Sequence, residues 1–146
     1  MRTPASIAKH PIHPMLVPVP IGLWIFSLVC DLTFLLGSGA SLWYTLAFYT
    51  MIGGLIGAVL AAIPGFIDML SLSSSRRRVA LAHMTLNLII VVLYAANIGM
   101  RINGPENFAV SVILSAVAIA LLLASGWLGG HMVYIDRVGV DVGEGP

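Results

Sequence analysis

Four histidines and one aspartate carry the chemistry that stands out in this chain: His10, His13, His83, His131 and Asp68. Imidazole ligates haem iron, zinc, copper and non-haem iron, and a carboxylate beside imidazoles suits the free ions. His10 and His13 belong to the segment His10-Pro11-Ile12-His13-Pro14. Each proline fixes its own φ and pushes the residue before it toward extended backbone, so the segment reads as polyproline II with both imidazoles on one side. Two prolines in so short a stretch exclude a helix there in this reading. Pro18 and Pro20 then mark an irregular or kinked first turn of the apolar run that follows, and the whole segment is expected to be rigid, either tucked into the mouth of the fold or lying outside it as a surface loop.

A second set of polar residues lies inside apolar runs. His83, Asn87, Tyr94 and Asn97 fall at offsets of 0, 4, 11 and 14, which puts them on one face of a helix. Asp31 is in phase with Trp24 and Ser27 on an earlier run, and Arg101 follows Asn97 by one turn. Charged groups within apolar segments face the protein interior and pair, so Asp31 is expected to bond Arg101 or Asn97. A line from Asp31 through Asn97, Tyr94 and Asn87 to His83 would form a proton route. Cys30, alone in an apolar run, reads as a small buried hydrophobe and excludes an intramolecular disulfide.

The elements that position these residues follow from composition. The chain has 146 residues, 59% hydrophobic and 9% charged, against about 45–50% and about 25% for a soluble domain. Four apolar runs, 15–36, 42–67, 79–100 and 108–128, each reach the length of about 20 residues that spans a bilayer as a helix. The first is too long for the apolar core of a signal peptide and reads as uncleaved. Short linkers rich in Gly, Pro, Ser and Asn at 37–41 and 101–107 make consecutive helices antiparallel neighbours. The fold class is therefore an all-α, integral membrane, up-down-up-down four-helix bundle, one domain over 1–146, with a loose tail at 139–146.

Arg2, Lys9, Arg76, Arg77, Arg78 and Arg137 lie at one end of that bundle and Arg101 alone at the other. Lysine and arginine mark the cytoplasmic side, so both termini are assigned there, with the four histidines and Asp68 at the same level. Trp43, Tyr44, Trp127 and Tyr134 read as an interfacial aromatic belt. The pairs Gly53–Gly57 and Gly126–Gly130 allow close helix packing, within the chain or between two copies. A net charge of +1 gives no reason to expect nucleic acid.

Three functions fit. A b-type cytochrome would hold haem b through two of His10, His13, His83 and His131, with Gly65, Gly129 and Gly130 making room. A zinc, iron or copper site would use the same histidines with Asp68. A non-catalytic anchor would leave the chemistry to a partner. Without H-E-x-x-H or a cysteine near the cluster, hydrolase chemistry has no support, and no residue is assigned as catalytic. The motifs His10-Pro11-Ile12-His13-Pro14, Asp31, Gly65-Phe66-Ile67-Asp68, His83 with Asn87, Gly129-Gly130-His131 and Tyr134 with Gly139-Val140 together resemble the bacterial membrane family DUF2231 over nearly the whole chain. That resemblance implies a respiratory setting with a Rieske or cytochrome c type redox partner.

Overall fold

The structure is a computed structural model that describes residues 3–38, 40–102 and 104–140. Arg2, most of the tail beyond Gly139 and one residue in each linker at the far end lie outside them. Two short strands, β1 (Ser6–Ile7) and β2 (His10–Pro11), precede five helices: α1 (Ile12–Leu16), α2 (Pro18–Thr33), α3 (Ser41–Leu70), α4 (Ser74–Ile102) and α5 (Phe108–Tyr134). A π-helical turn, Phe34–Ser38, ends α2, and a 3-10 turn, Pro105–Asn107, leads into α5. Four helical segments are long and apolar enough to cross a membrane: Ile12–Gly37, Ser41–Leu70, Ser74–Ile102 and Pro105–Tyr134. Each outruns the apolar run that seeds it. Thirty helical residues rise about 45 Å against a hydrocarbon core of about 30 Å, so the ends of α3 project beyond it.

The N-terminal segment departs from the polyproline reading. Helix begins at Ile12 and takes in His13 and Pro14. Pro11 is its N-cap, in extended geometry at φ −70° and ψ 127°. Pro14 sits in the first turn, where the N–H it lacks would have no intrahelical acceptor. Upstream, β1 and β2 pair antiparallel with Ser6 opposite Pro11 and Ile7 opposite His10. Ala8 and Lys9 close that hairpin at φ 49° and 69°, the two positive values that a tight two-residue turn demands. His10 and His13 thus belong to different elements and do not share a side.

Helix α2 packs against α3 and α5, and α4 packs against α3 and α5, which closes a four-helix bundle. Between α2 and α3 the approach is set by glycine. A Cβ at Gly53 would lie 3.1 Å from Leu23, one at Gly57 3.3 Å from Val19 and Pro20, and one at Gly54 2.5 Å from the Trp24 indole. Trp24 uses that space to stack on Tyr94 of α4, with centroids 4.4 Å apart and planes 5° from parallel. The pair anchors a core completed by Met51, Ile90, Ala118 and Leu122. Gly126 and Gly130, by contrast, meet nothing within 4 Å.

Polarity runs opposite to that of a water-soluble protein. Ser27, Asp31, Asn97, Arg101, Ser111, Ser115 and Ser125 are buried, whereas Leu88, Val92, Ile113 and Leu123 are more than half exposed. An apolar coat around a polar interior matches lipid, which tolerates leucine and rejects charge. At the end that carries the termini, Met69, Leu72 and Ala80 gather Met132 and Val138. That contact keeps α5 helical past the double glycine at 129–130, so His131 lies within its last turns.

Candidate functional site

Two of the four histidines meet. His13 of α1 and His83 of α4 have ring centroids 6.3 Å apart and planes at 89°. His13 Nδ1 is 2.8 Å from the Ala61 carbonyl on α3, in the turn that Pro64 interrupts. His83 Nδ1 is 2.9 Å from the Ser125 carbonyl on α5. A carbonyl only accepts, so in both rings Nδ1 carries the proton and Nε2 the lone pair. Two glycines give the rings their places: a Cβ at Gly65 would lie 2.7 Å from His13 Nδ1, and one at Gly129 3.3 Å from His83 Cε1.

Asn87 completes the His83 environment. Its amide nitrogen lies 2.8 Å from Ser125 Oγ, 2.9 Å from the His83 carbonyl and 3.1 Å from His83 Nε2. An amide has two protons for these three acceptors, and the longest contact is the one to the imidazole. Ser125 had no place in the sequence reading of the site. Its signal was present: Ser111, Ser115, Ala118, Leu122 and Ser125 fall at offsets of 0, 4, 7, 11 and 14, a phase close to that of His83 and Asn97 on α4.

The other candidates are placed apart. His10 is exposed on the hairpin, its Nδ1 2.9 Å from the Ala8 carbonyl. His131 is exposed on α5, its Nε2 3.9 Å from Asp136 Oδ2. Asp68 is buried and accepts the Ala5 N–H at 2.8 Å, which straps the N-terminal segment over the end of α3. Among the described residues no three His, Cys, Asp or Glu side chains converge in a way that could hold a metal ion.

A separate polar network occupies the far half of the bundle. Arg101 Nη2 donates to Asp31 Oδ2 at 2.7 Å, and Nε donates to Asn97 Oδ1 at 3.1 Å. Asn97 Nδ2 donates in turn to the Ser111 carbonyl at 2.8 Å and to Ser115 Oγ at 2.9 Å. The guanidinium also lies 5.2 Å over the Tyr44 ring and 5.6 Å over Phe108. Tyr44 is therefore part of this network, while Trp127 and Tyr134 are the strongly exposed members of the expected belt. Between the two networks the fully buried Ile90 and the Trp24–Tyr94 stack fill the core. No hydrogen bond among the described residues joins Asn87 to Tyr94.

Fold and site together define a multi-pass membrane protein, a four-helix bundle with a paired-imidazole site at the end that carries its termini. The family model described as "Predicted membrane protein (DUF2231)" matches residues 9–142, and the chain belongs to that family. No curated protein and no solved structure matches it.

Proposed function

We propose that the protein is a membrane-embedded redox protein that holds haem b through His13 and His83 and passes electrons to or from a partner. The observation that carries this reading is the pair of imidazoles, each tethered through Nδ1 to a backbone carbonyl, 6.3 Å apart. Metal-binding histidines characteristically donate their other ring N–H in this way, which fixes the tautomer and raises ligand basicity. Were a metal group bound between them, His13 and His83 would each offer it Nε2, with N–metal bonds of about 2 Å. The donor set also favours haem over a free ion. A tetrahedral zinc site or a non-haem iron triad needs three or more protein ligands, whereas haem iron needs only two axial ones. Bound there, haem would supply one-electron chemistry at iron, and the chain's part is to hold and orient the two imidazoles.

Lysine and arginine counts favour cytoplasmic termini in a bacterial inner membrane, which puts the site near the cytoplasmic face. A Rieske or cytochrome c type protein is the redox partner that the family's setting suggests. For a second copy, the open face of α5 at Gly126 and Gly130 is the available surface, since Gly53 and Gly57 already seat α2.

The visible spectrum of the detergent-purified protein tests this. A Soret band that sharpens on dithionite reduction, and is lost in His83→Ala and in His13→Ala, supports the proposal. A colourless protein with stoichiometric zinc, iron or copper by elemental analysis would replace it with a metal site, and neither signal would leave a membrane anchor.

A further inference from the structure

The Asp31–Arg101 pair leaves hydrogen-bonding capacity unused. Asp31 Oδ1 and Arg101 Nη1 are inaccessible and have no hydrogen-bond partner among the described residues, and the Tyr94 hydroxyl, equally inaccessible, faces Ser27. Their side chains are all more than nine-tenths buried, with Asp31 and Tyr94 fully so. Tyr94 and Arg101 share one face of α4, two turns apart, and Trp24, stacked on Tyr94, precedes Asp31 by two turns on α2, so the three groups line the same contact between α2 and α4. The Tyr44 hydroxyl, in the aromatic group that Arg101 covers, is a fourth such atom.

We infer that this site holds bound water inside the bundle, bridging Asp31 Oδ1, Arg101 Nη1 and the Tyr94 hydroxyl. A carboxylate oxygen only accepts, a guanidinium nitrogen only donates, and a phenol does both. The complement to that set is a small neutral molecule that donates and accepts at once. An anion would face Asp31 and a cation would face Arg101, each at the short range where burial strengthens repulsion. Water makes about three hydrogen bonds in such sites, the number of groups waiting here. Leaving them dry would cost a desolvation penalty at each, two of them charged, in a region where lipid supplies no alternative partner. Ser27 and Ser115, both fully buried, provide small side chains around the pair.

X-ray radiolytic footprinting of the full chain in detergent reads the site directly, because hydroxyl radical forms where bound water sits and oxidises the side chains next to it. Tyr94 is expected to be modified several-fold more than Met51, which is as deeply buried in the same core and intrinsically more reactive. Modification of Tyr94 no greater than that of Met51 overturns the inference.

Discussion

Gly65 on α3 leaves the space that the His13 ring fills: a Cβ there would lie 2.7 Å from Nδ1 and 2.9 Å from Cε1. Ring and helix fit only because residue 65 has no side chain, and the Nδ1 bond to Ala61 depends on that fit. Gly65→Ala should displace His13 and break this bond. Overpacking of this kind costs about 1–3 kcal/mol. The thermal midpoint should fall, and any Soret band should shift or weaken because the ligand is turned. Gly22→Ala is the control: nothing lies within 4 Å of a Cβ there, so the helix-favouring alanine should leave stability unchanged or raise it by up to about 1 kcal/mol.

Gly54 of α3 and Gly126 of α5, both inside apolar helices, have opposite surroundings. Gly54 receives Trp24, with a Cβ at 2.5 Å from the indole, whereas Gly126 meets nothing. Gly54→Ala should unstack Trp24 from Tyr94 and destabilise the bundle by about 1–3 kcal/mol, with a change in near-ultraviolet circular dichroism from the aromatic pair. Gly126→Ala should leave the monomer's stability and spectrum intact. If two copies associate through α5, it should weaken the dimer in cross-linking at fixed detergent concentration.

Which parts of this were legible follows from how local each signal is. Spans, linkers and the inward face of α4 depend on hydrophobic period and length, which survive any detail of packing. The Asp31–Arg101 pairing could be read from depth alone, because in a bundle two charges at one level have few other places to go. The N-terminal segment departs from the sequence reading because proline breaks a helix only beyond its first turn. In the first turn Pro14 breaks nothing. The hairpin at Ala8 and Lys9 carries no Asn or Gly to announce its positive φ values. That four histidines at one depth would reduce to one close pair was also beyond the sequence, since depth fixes a level and says nothing of azimuth. His131 points outward on α5, and His83 points toward Ser125. Gly54 was passed over for the G-x-x-x-G pair beside it, because the size of Trp24 mattered more than the spacing of the glycines.

The paired-imidazole proposal makes unequal demands on the four histidines. His13→Ala and His83→Ala should each abolish or strongly alter the reduced-minus-oxidised spectrum. His10→Ala and His131→Ala, which change exposed rings outside the pair, should leave it within error. Ser125→Ala is a finer probe. It removes Oγ from Asn87 and from the neighbourhood of His83 Nδ1, 3.0 Å away, but keeps the carbonyl that accepts the Nδ1 proton. The band should therefore persist with a shifted reduction potential, as expected for a change in the groups that orient a ligand. A spectrum lost in His131→Ala and retained in His13→Ala would overturn the proposed histidine pair.

Removing one member of the Asp31–Arg101 pair strands the other in a lipid-bounded interior. Arg101→Met leaves a carboxylate without its 2.7 Å partner and leaves Asn97 Oδ1 without its donor. Breaking a buried pair from one side typically costs about 3–5 kcal/mol. Asp31→Asn should also destabilise, because it leaves the buried guanidinium charge uncompensated, but by less than Arg101→Met, since the amide oxygen still accepts from Nη2. The double replacement Asp31→Leu with Arg101→Met removes both charges, and apolar substitutes for a buried pair are often neutral or better. The expected result is strong non-additivity: the double variant unfolds less readily in denaturing detergent than Arg101→Met alone, with a coupling of about 1–3 kcal/mol across the cycle. Additive costs would mean that the two residues act independently, and that the contact between them is not what holds α2 to α4.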